Sequence, residues 1–246
     1  MVTPMQQIWT AATLAVGLTL LATDAHAQAA RRLDGDQART VEQVAVTRSG
    51  TGLLLSAWRL ATPGEPVLAV VRRKDDLAAV WLTGRDLKFE AHGVAELPLL
   101  DGLVDDLAVR DVTSRDLDGD KAPEVVVTVE GRKPFYGKGD SETHALYVLG
   151  VQRDTPVLQF AHELRFQGTM KQRCESHSHA RAMEMTAEDL LGDDHADLRV
   201  TVKESRRDCA APSEPCSGEE HVCKTVNTQT QDLWIWKDGA YHRSDE

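Results

Sequence analysis

The chain has 246 residues and a formal net charge of −11 at pH 7, because 39 acidic residues outweigh 28 basic ones. This excess of acid argues against a nucleic-acid partner and against an anionic membrane surface, since both reward clusters of Lys and Arg. It suits divalent cations or neutral partners such as glycans. The length is sufficient for a hydrophobic core, as one domain or as two small ones.

Residues 1–27 have the pattern of a secretory signal peptide. An uncharged run from Ile8 to Ala22 precedes Ala25-His26-Ala27, a small-x-small triplet that is typical of a signal-peptidase site. The run has 15 residues, whereas a membrane span needs about 20. We therefore predict a secreted or periplasmic protein without stable membrane insertion, and residues 28–40 as a flexible leader.

From residue 41 onward, short runs of alternating or β-branched residues predict β-strands. Polar turns rich in Gly, Asp and Pro separate these runs, and no convincing helical stripe interrupts them. The predicted strands are 41–47, 53–60, 66–73, 77–84, 107–114, 123–130, 144–152, 156–166, 180–187, 197–204 and 232–239. The spacing indicates an all-β antiparallel meander.

An internal repeat organises the second half of the chain. The segment 116–129, DLDGDKAPEVVVTV, aligns without a gap with 189–202, DLLGDDHADLRVTV, and seven of the fourteen positions are identical. The sequence of each copy predicts the same order of elements, namely a strand, an acidic loop, a second strand and a third strand. The predicted units are an N-terminal β unit at 41–105, a first Asp-loop repeat at 106–170, and a second repeat with a cysteine-containing insertion at 171–246.

The first acidic loop places carboxylates at alternate positions. Counting Asp116 as position 1, side-chain oxygens follow from Asp118, Asp120 and Glu124 at positions 3, 5 and 9, and the carbonyl of Ala122 lies at position 7. These groups repel one another unless a cation lies among them. Calcium takes six to eight oxygen ligands at about 2.3–2.6 Å, and the loop offers five before water is added. The sequence therefore predicts a Ca²⁺ site.

The second loop offers fewer ligands. Asp189, Asp193 and Asp197 remain, and His195 contributes its carbonyl, but Leu191 occupies position 3. The alternative for both loops is a surface turn, because Asp is a frequent turn-forming residue. The sequence predicts calcium in the first loop, whereas the second loop is a weaker candidate site whose occupancy the sequence leaves open.

The first loop is not an EF-hand, since position 6 is Lys121 rather than Gly and position 12 is Val127 rather than Glu. It resembles the Asp-rich loops of FG-GAP/VCBS-type repeats, which occur in integrin α propellers and in many bacterial exported proteins. The residues that carry this resemblance are Asp116, Asp118, Gly119, Asp120, Glu124 and the strand Val125–Val129.

The resemblance implies propeller-like four-stranded blades, calcium held in inter-strand loops, and adhesion or ligand binding rather than catalysis. The two repeats and the N-terminal strands make about three such units, whereas closed propellers typically need at least four. We therefore expect an incomplete propeller or an open stack.

The four cysteines, Cys174, Cys209, Cys216 and Cys223, predict disulfide bonds, because an even number favours pairing in an oxidising compartment. We expect one bridge within 209–223 and a second between Cys174 and the insertion. Three pairings are compatible with the sequence.

Two further patterns have competing interpretations. Cys174, His177 and His179, completed by Cys223 or His221, form a possible zinc site, although the spacing matches no familiar zinc finger.

Trp234 and Trp236 alternate on one strand, where they form either an exposed sugar-stacking platform or part of the core. The core is the preferred interpretation, as it is for Trp58 and Trp81, because large aromatic side chains usually fill sheet interiors.

The chain contains no G-x-S-x-G, H-E-x-x-H or Gly-rich phosphate-loop motif. We therefore predict an exported, non-catalytic binding, adhesion or structural module that calcium stabilises and whose partner is a protein or a glycan. The alternative is a secreted metal-dependent hydrolase with His and Asp residues drawn from several loops.

Overall fold

The computed structural model describes residues 28–100, 103, 105–134, 138–172, 175–192, 195–210 and 222–244. The predicted signal peptide at 1–27 lies outside the described residues. The elements in chain order are β1 (Gln28–Ala29), β2 (Arg31–Arg32), α1 (Gly35–Ser49), β3 (Leu53–Arg59), β4 (Val67–Arg72), β5 (Asp76–Arg85), β6 (Lys88–Pro98), β7 (Asp105–Arg115), β8 (Glu124–Pro134), β9 (Lys138–Gln152), β10 (Thr155–Gln172), β11 (Glu175–Glu188), β12 (Asp197–Ala210), β13 (Val222–Lys237) and β14 (Ala240–Arg243).

The strands form two antiparallel meander sheets. The first sheet has five strands in the order β2-β3-β4-β5-β6, and the second has nine in the order β1-β7-β8-β9-β10-β11-β12-β13-β14. Apart from β1, strands that are neighbours in space are also neighbours in sequence, because short turns connect antiparallel strands directly. The prediction of an all-β antiparallel meander is confirmed, and the two sheets form an open stack.

The N-terminal region differs from the sequence-based prediction. Residues 41–47 were expected to form a strand, but they lie within α1, and the expected leader 28–40 contains β1, β2 and the first turns of α1. The helix buries Val41, Ala45 and Ser49, which are spaced four residues apart and therefore share one face. That face packs on the five-stranded sheet. The apolar residues of 41–47 therefore follow the spacing of a helix rather than the alternation of a strand.

Helix α1 has 15 residues and carries charged side chains. Within the described ranges, we find no helix with the length and apolar character that crossing a bilayer requires.

The main core lies between the two sheets. Trp58 and Trp81 of the five-stranded sheet are 9% and 6% exposed, and they belong to the same apolar cluster as Val112, Val127 and Tyr147 of the nine-stranded sheet. The Tyr147 hydroxyl donates a hydrogen bond of 2.7 Å to the Pro98 carbonyl, which connects the sheets at the end of β6. The prediction that both tryptophans are core residues is confirmed.

The nine-stranded sheet also folds back on itself. Val126 and Val148 point away from the main core and enter a second cluster with Met183, Leu198 and Val200 of β11 and β12. Strand β10 contains two register shifts against β9, and such irregularities bend a strand. The fold-back places the second sequence repeat against the first.

Candidate metal centre

The two acidic loops occupy equivalent turns of the nine-stranded sheet. The first loop connects β7 to β8, whose flanking residues Arg115 and Glu124 are register partners. The second connects β11 to β12, where the corresponding partners are Glu188 and Asp197. Each loop therefore follows one strand and ends on an acidic residue that opens the next.

Hydrogen bonds within the first loop fix its shape. The Asp116 Oδ1 atom accepts from the Gly119 N–H at 2.8 Å, the Asp118 Oδ1 atom accepts from the Asp120 N–H at 3.1 Å, and the Asp120 Oδ1 atom accepts from the Ala122 N–H at 2.6 Å. Aspartate favours turns because it makes such local bonds. The φ angle of Gly119 is +85°, a conformation that glycine adopts without steric cost.

Three of the predicted ligands come together. Carboxylate oxygens of Asp116, Asp118 and Asp120 lie within 4.8 Å of one another, a separation that a single cation can bridge. Asp118 is only 2% exposed, whereas Asp120 and Ala122 lie on the exposed rim of the loop. Glu124 is not a member of this group, so its role as a fourth carboxylate ligand remains a prediction.

Glu124 is buried at the start of β8, directly after the loop. Its side chain is 3% exposed, and its Oε2 atom accepts a hydrogen bond of 2.6 Å from the Leu117 N–H. Burial raises the pKa of Glu124 to about 8, and the charge of Asp118 adds to the effect. Burial also raises the pKa of Asp118, as do the charges of Asp120 and Asp116. The loop therefore needs a proton or a cation to offset its negative charge.

The second loop repeats part of this geometry. The Asp189 Oδ1 atom accepts from the Gly192 N–H at 2.6 Å, the same three-residue spacing as between Asp116 and Gly119. Asp193 lies outside the described residues.

The two remaining residues predicted in the second loop differ in burial. His195 is half-buried, whereas Asp197 is 1% exposed. The Asp197 Oδ1 atom accepts a 3.1 Å bond from the Trp236 N–H, and its Oδ2 atom has no hydrogen-bond partner among the described residues.

The two loops contact each other. The Ala196 N–H donates a hydrogen bond of 2.8 Å to the backbone carbonyl of Asp118. Tyr241 is 5% exposed, and its pKa is raised by burial and then by the nearby charges of Glu124, Asp118 and Asp197. Carboxylates of both repeats therefore influence the same buried phenol.

Sequence reasoning missed the roles of Tyr241 and Trp236 beside the acidic loops. Both residues follow the second loop by about 40 positions, and only the folding back of the sheet brings them to it. No local spacing could have indicated this placement.

Trp234 and Trp236 pack against the second apolar cluster and are half-buried. The Trp234 ring meets the Phe160 ring edge-on at 5.1 Å between centroids, and the Trp236 ring lies 4.8 Å from the Tyr241 ring. These contacts support the core interpretation over that of an exposed sugar-stacking platform.

One predicted disulfide lies among the described residues. Cys209 and Cys223 are bonded at 2.12 Å and connect β12 to β13, which confirms the bridge expected within 209–223. Cys174 and Cys216 lie outside the described residues. The bond removes Cys223 as a thiolate ligand, so a zinc site that includes this cysteine is wrong.

The histidines of the hypothetical zinc site have other partners. The His177 Nδ1 atom lies 2.8 Å from the Asp208 Oδ1 atom, and this hydrogen bond raises the pKa of His177. The His179 Nε2 atom lies 2.9 Å from the Glu204 Oε1 atom. His221 lies outside the described residues.

Another group of potential ligands joins β8 and β9. The His144 Nε2 atom lies 2.7 Å from the Glu142 Oε1 atom and 3.9 Å from the Glu130 Oε2 atom. Arg110 forms an ion pair with Glu130, and the hydrogen bond from His144 lowers the pKa of Glu142, with a smaller effect from Arg132. Glu130 is paired with Arg110 and Glu142 is hydrogen-bonded to His144, so these carboxylates already have partners within the protein, and we assign the group as a polar network rather than a metal site.

No family model, curated protein or solved structure matches the chain. The resemblance to FG-GAP/VCBS-type repeats therefore depends on the residues of the first acidic loop and remains a prediction.

Proposed function

We propose that the protein is an exported, non-catalytic binding or adhesion module in which calcium stabilises the contact between its two repeats. The cation lies in the first acidic loop, held by Asp116, Asp118 and Asp120 with the Ala122 carbonyl and water, while Glu124 supplies buried charge beside it. The partner is a protein or a glycan.

The observation that carries the proposal is the burial of charge beside the loop. Asp118 and Glu124 are 2% and 3% exposed, and their pKa values are raised chiefly by desolvation. Oxygens of Asp116, Asp118 and Asp120 lie within 4.8 Å of one another. Hard oxygen donors at such separations suit Ca²⁺, which tolerates irregular geometry and completes its shell with water.

Calcium in this position has a structural effect beyond its own loop. The backbone carbonyl of Asp118 accepts the hydrogen bond from Ala196, so a cation that orders Asp118 also orders the contact with the second loop. Dissociation constants of extracellular calcium modules are about 0.1–1 mM. At ten to a hundred times the dissociation constant, binding to the folded state alone stabilises it by about 1.4–2.7 kcal/mol.

The disulfide supports the exported location. Cys209 and Cys223 are bonded, and disulfides persist in oxidising compartments such as the periplasm or the extracellular space. The excess of 39 acidic over 28 basic residues supports a neutral or cationic partner rather than a nucleic acid.

The test is thermal unfolding during a calcium titration after treatment with EDTA. Millimolar calcium should raise the melting temperature of the wild type, and Asp118→Ala should abolish that rise. Sodium chloride at matched ionic strength separates binding from screening. Asp154→Asn, in the exposed turn between β9 and β10, is the matched control and should retain the wild-type response. A wild-type melting temperature that does not change with calcium would overturn the proposal.

A further inference from the structure

Among the described residues, the outer edge of β13, the side that faces away from β12, is unpaired over most of its length. Strand β13 pairs with β12 from Val222 to Trp234, whereas β14 covers only Trp234–Lys237 on the other side. Among the described residues, no strand pairs with the outer edge between Val222 and Asp232. Such an edge presents a row of backbone donors and acceptors to any other strand.

The disulfide shows which backbone groups face outward. In an antiparallel pair, directly opposite residues alternate between hydrogen-bonded pairs, with Cα atoms about 5.5 Å apart, and non-bonded pairs at about 4.5 Å. The Cα atoms of Cys209 and Cys223 are 4.1 Å apart, so this pair is of the non-bonded kind. The odd-numbered residues of β13 therefore direct their N–H and C=O groups away from β12. Between Lys224 and Asp232, they are Thr225, Asn227, Gln229 and Gln231.

Two hydrogen bonds at the end of β13 confirm this alternation. The carbonyl of the odd-numbered Leu233 accepts a 2.9 Å bond from the Ser244 N–H, on the side of β14. The N–H of the even-numbered Trp236 donates to Asp197, the first residue of β12. The outward direction of the odd-numbered residues is thus established at both ends of the strand.

The open edge lacks the devices that normally prevent strand pairing. Residues 225–231, TVNTQTQ, contain no charge, no Pro and no Gly, and all are exposed. The register with β12 has no shift over its whole length, so no bulge turns the edge away. Protected edges usually carry a charge, a proline or a bulge. On β13 itself, charged residues flank this stretch at either end, Lys224 before it and Asp232 after it.

We propose that the outer edge of β13 pairs antiparallel with β13 of a second copy of this chain, about a two-fold axis at Thr228. A two-fold interface places each residue opposite its mirror position in the partner. Centring on Thr228 sets Lys224 opposite Asp232 of the partner subunit, and this ion pair occurs twice. Asp232 already binds Arg243 at 2.7 Å through Oδ1, and a carboxylate accepts several donors.

The register follows from charge and hydrogen bonding together. Thr225 faces Gln231 of the partner subunit, and Asn227 faces Gln229 of the partner subunit. Symmetry doubles these to four hydrogen-bonded pairs, and each pair exchanges two N–H···O bonds. A register centred on Asn227 also aligns the outward groups, but it sets Lys224 opposite an uncharged Thr230. Complementary charge therefore selects the axis at Thr228.

The first test is the oligomeric state of the full chain by sedimentation across a wide concentration range. The wild type should double its mass as concentration rises. Asn227→Pro should remain monomeric, because proline removes an outward N–H but no bond to β12. Asn227→Ser is the matched control and should dimerise. Retained circular dichroism of the proline variant shows that the fold is intact. A wild type that stays monomeric throughout would overturn the proposal.

The second test fixes the register by disulfide trapping. Thr228→Cys places two cysteines directly opposite each other across the axis and should give a covalent dimer under mild oxidation. Val226→Cys and Thr230→Cys are the controls, since each cysteine lies four residues, or about 13 Å, along the strand from its symmetry mate. Stronger trapping at either control position would refute this register. Outward amides protected from hydrogen exchange in a monomer would show that the chain covers its own edge, which also refutes pairing between copies.

Discussion

Replacing Glu124 with glutamine should remove the part of the pH dependence of stability that Glu124 causes in the calcium-free protein. The pKa of the buried Glu124 carboxyl is about 8 in the folded state, against an ordinary value of 4.5 for glutamate. A group with a raised folded pKa binds more protons when folded, so its stabilisation is fully present below about pH 4.5 and is lost as the pH rises through about 8. Each pH unit in this window changes the free energy of unfolding by up to about 1.4 kcal/mol.

Between about pH 5 and about pH 7.5 the wild type should therefore lose roughly 3 kcal/mol through this group alone. Glutamine keeps an oxygen that accepts the Leu117 N–H, but it cannot ionise. In Glu124→Gln, the contribution of this side chain to the free energy of unfolding should therefore not change with pH. The assay is urea unfolding in EDTA at several pH values. The difference between wild type and variant isolates the group, because other titrations are common to both. The exposed Glu90→Gln is the control and should follow the wild type.

Parallel pH profiles for the wild type and Glu124→Gln would refute this reasoning. They would mean that the carboxyl titrates near its ordinary range in the folded protein, and thus that burial does not impose the charge problem from which the calcium proposal starts. If the parallel profiles were also offset, with the variant less stable by the same amount at every pH, Glu124 would be identified as a packing position.

Two substitutions test other parts of the structure by urea unfolding. Gly119→Ala should cost about 1 kcal/mol, because alanine must adopt the left-handed backbone of φ +85°; an unchanged midpoint would show that the turn relaxes freely. Tyr147→Phe should cost about 1–2 kcal/mol by removing the hydrogen bond to Pro98, whereas Tyr241→Phe should cost less, since the buried Tyr241 hydroxyl has no such partner among the described residues. Equal losses for the two tyrosines would contradict this assignment.

The strand pattern was predictable because short apolar runs between polar turns are a local property of the sequence. The segments 53–60 and 77–84 are runs of this kind, and their Trp58 and Trp81 are buried in β3 and β5. The helix α1 was missed because Val41 and Val44 are β-branched, a composition that favours strands. Their burial against a sheet face was decided by tertiary packing, which overrides intrinsic propensity.

The site was predictable in part for the same reason. The alternate aspartates Asp116, Asp118 and Asp120 are close in sequence, and a tight loop necessarily brings their oxygens together. The proximity of Asp197 and Tyr241 to that loop depends on the bend in β10, which connects segments far apart in the chain. Contacts of that kind carry no signature in residue spacing.

The backbone hydrogen bond from Ala196 to Asp118 couples the acidic turns of the two sequence repeats directly, in addition to the pairing of β10 with β11. Restricting either turn therefore lowers the entropic penalty of restricting its counterpart. We expect the two repeats to lose their structure together rather than one after the other.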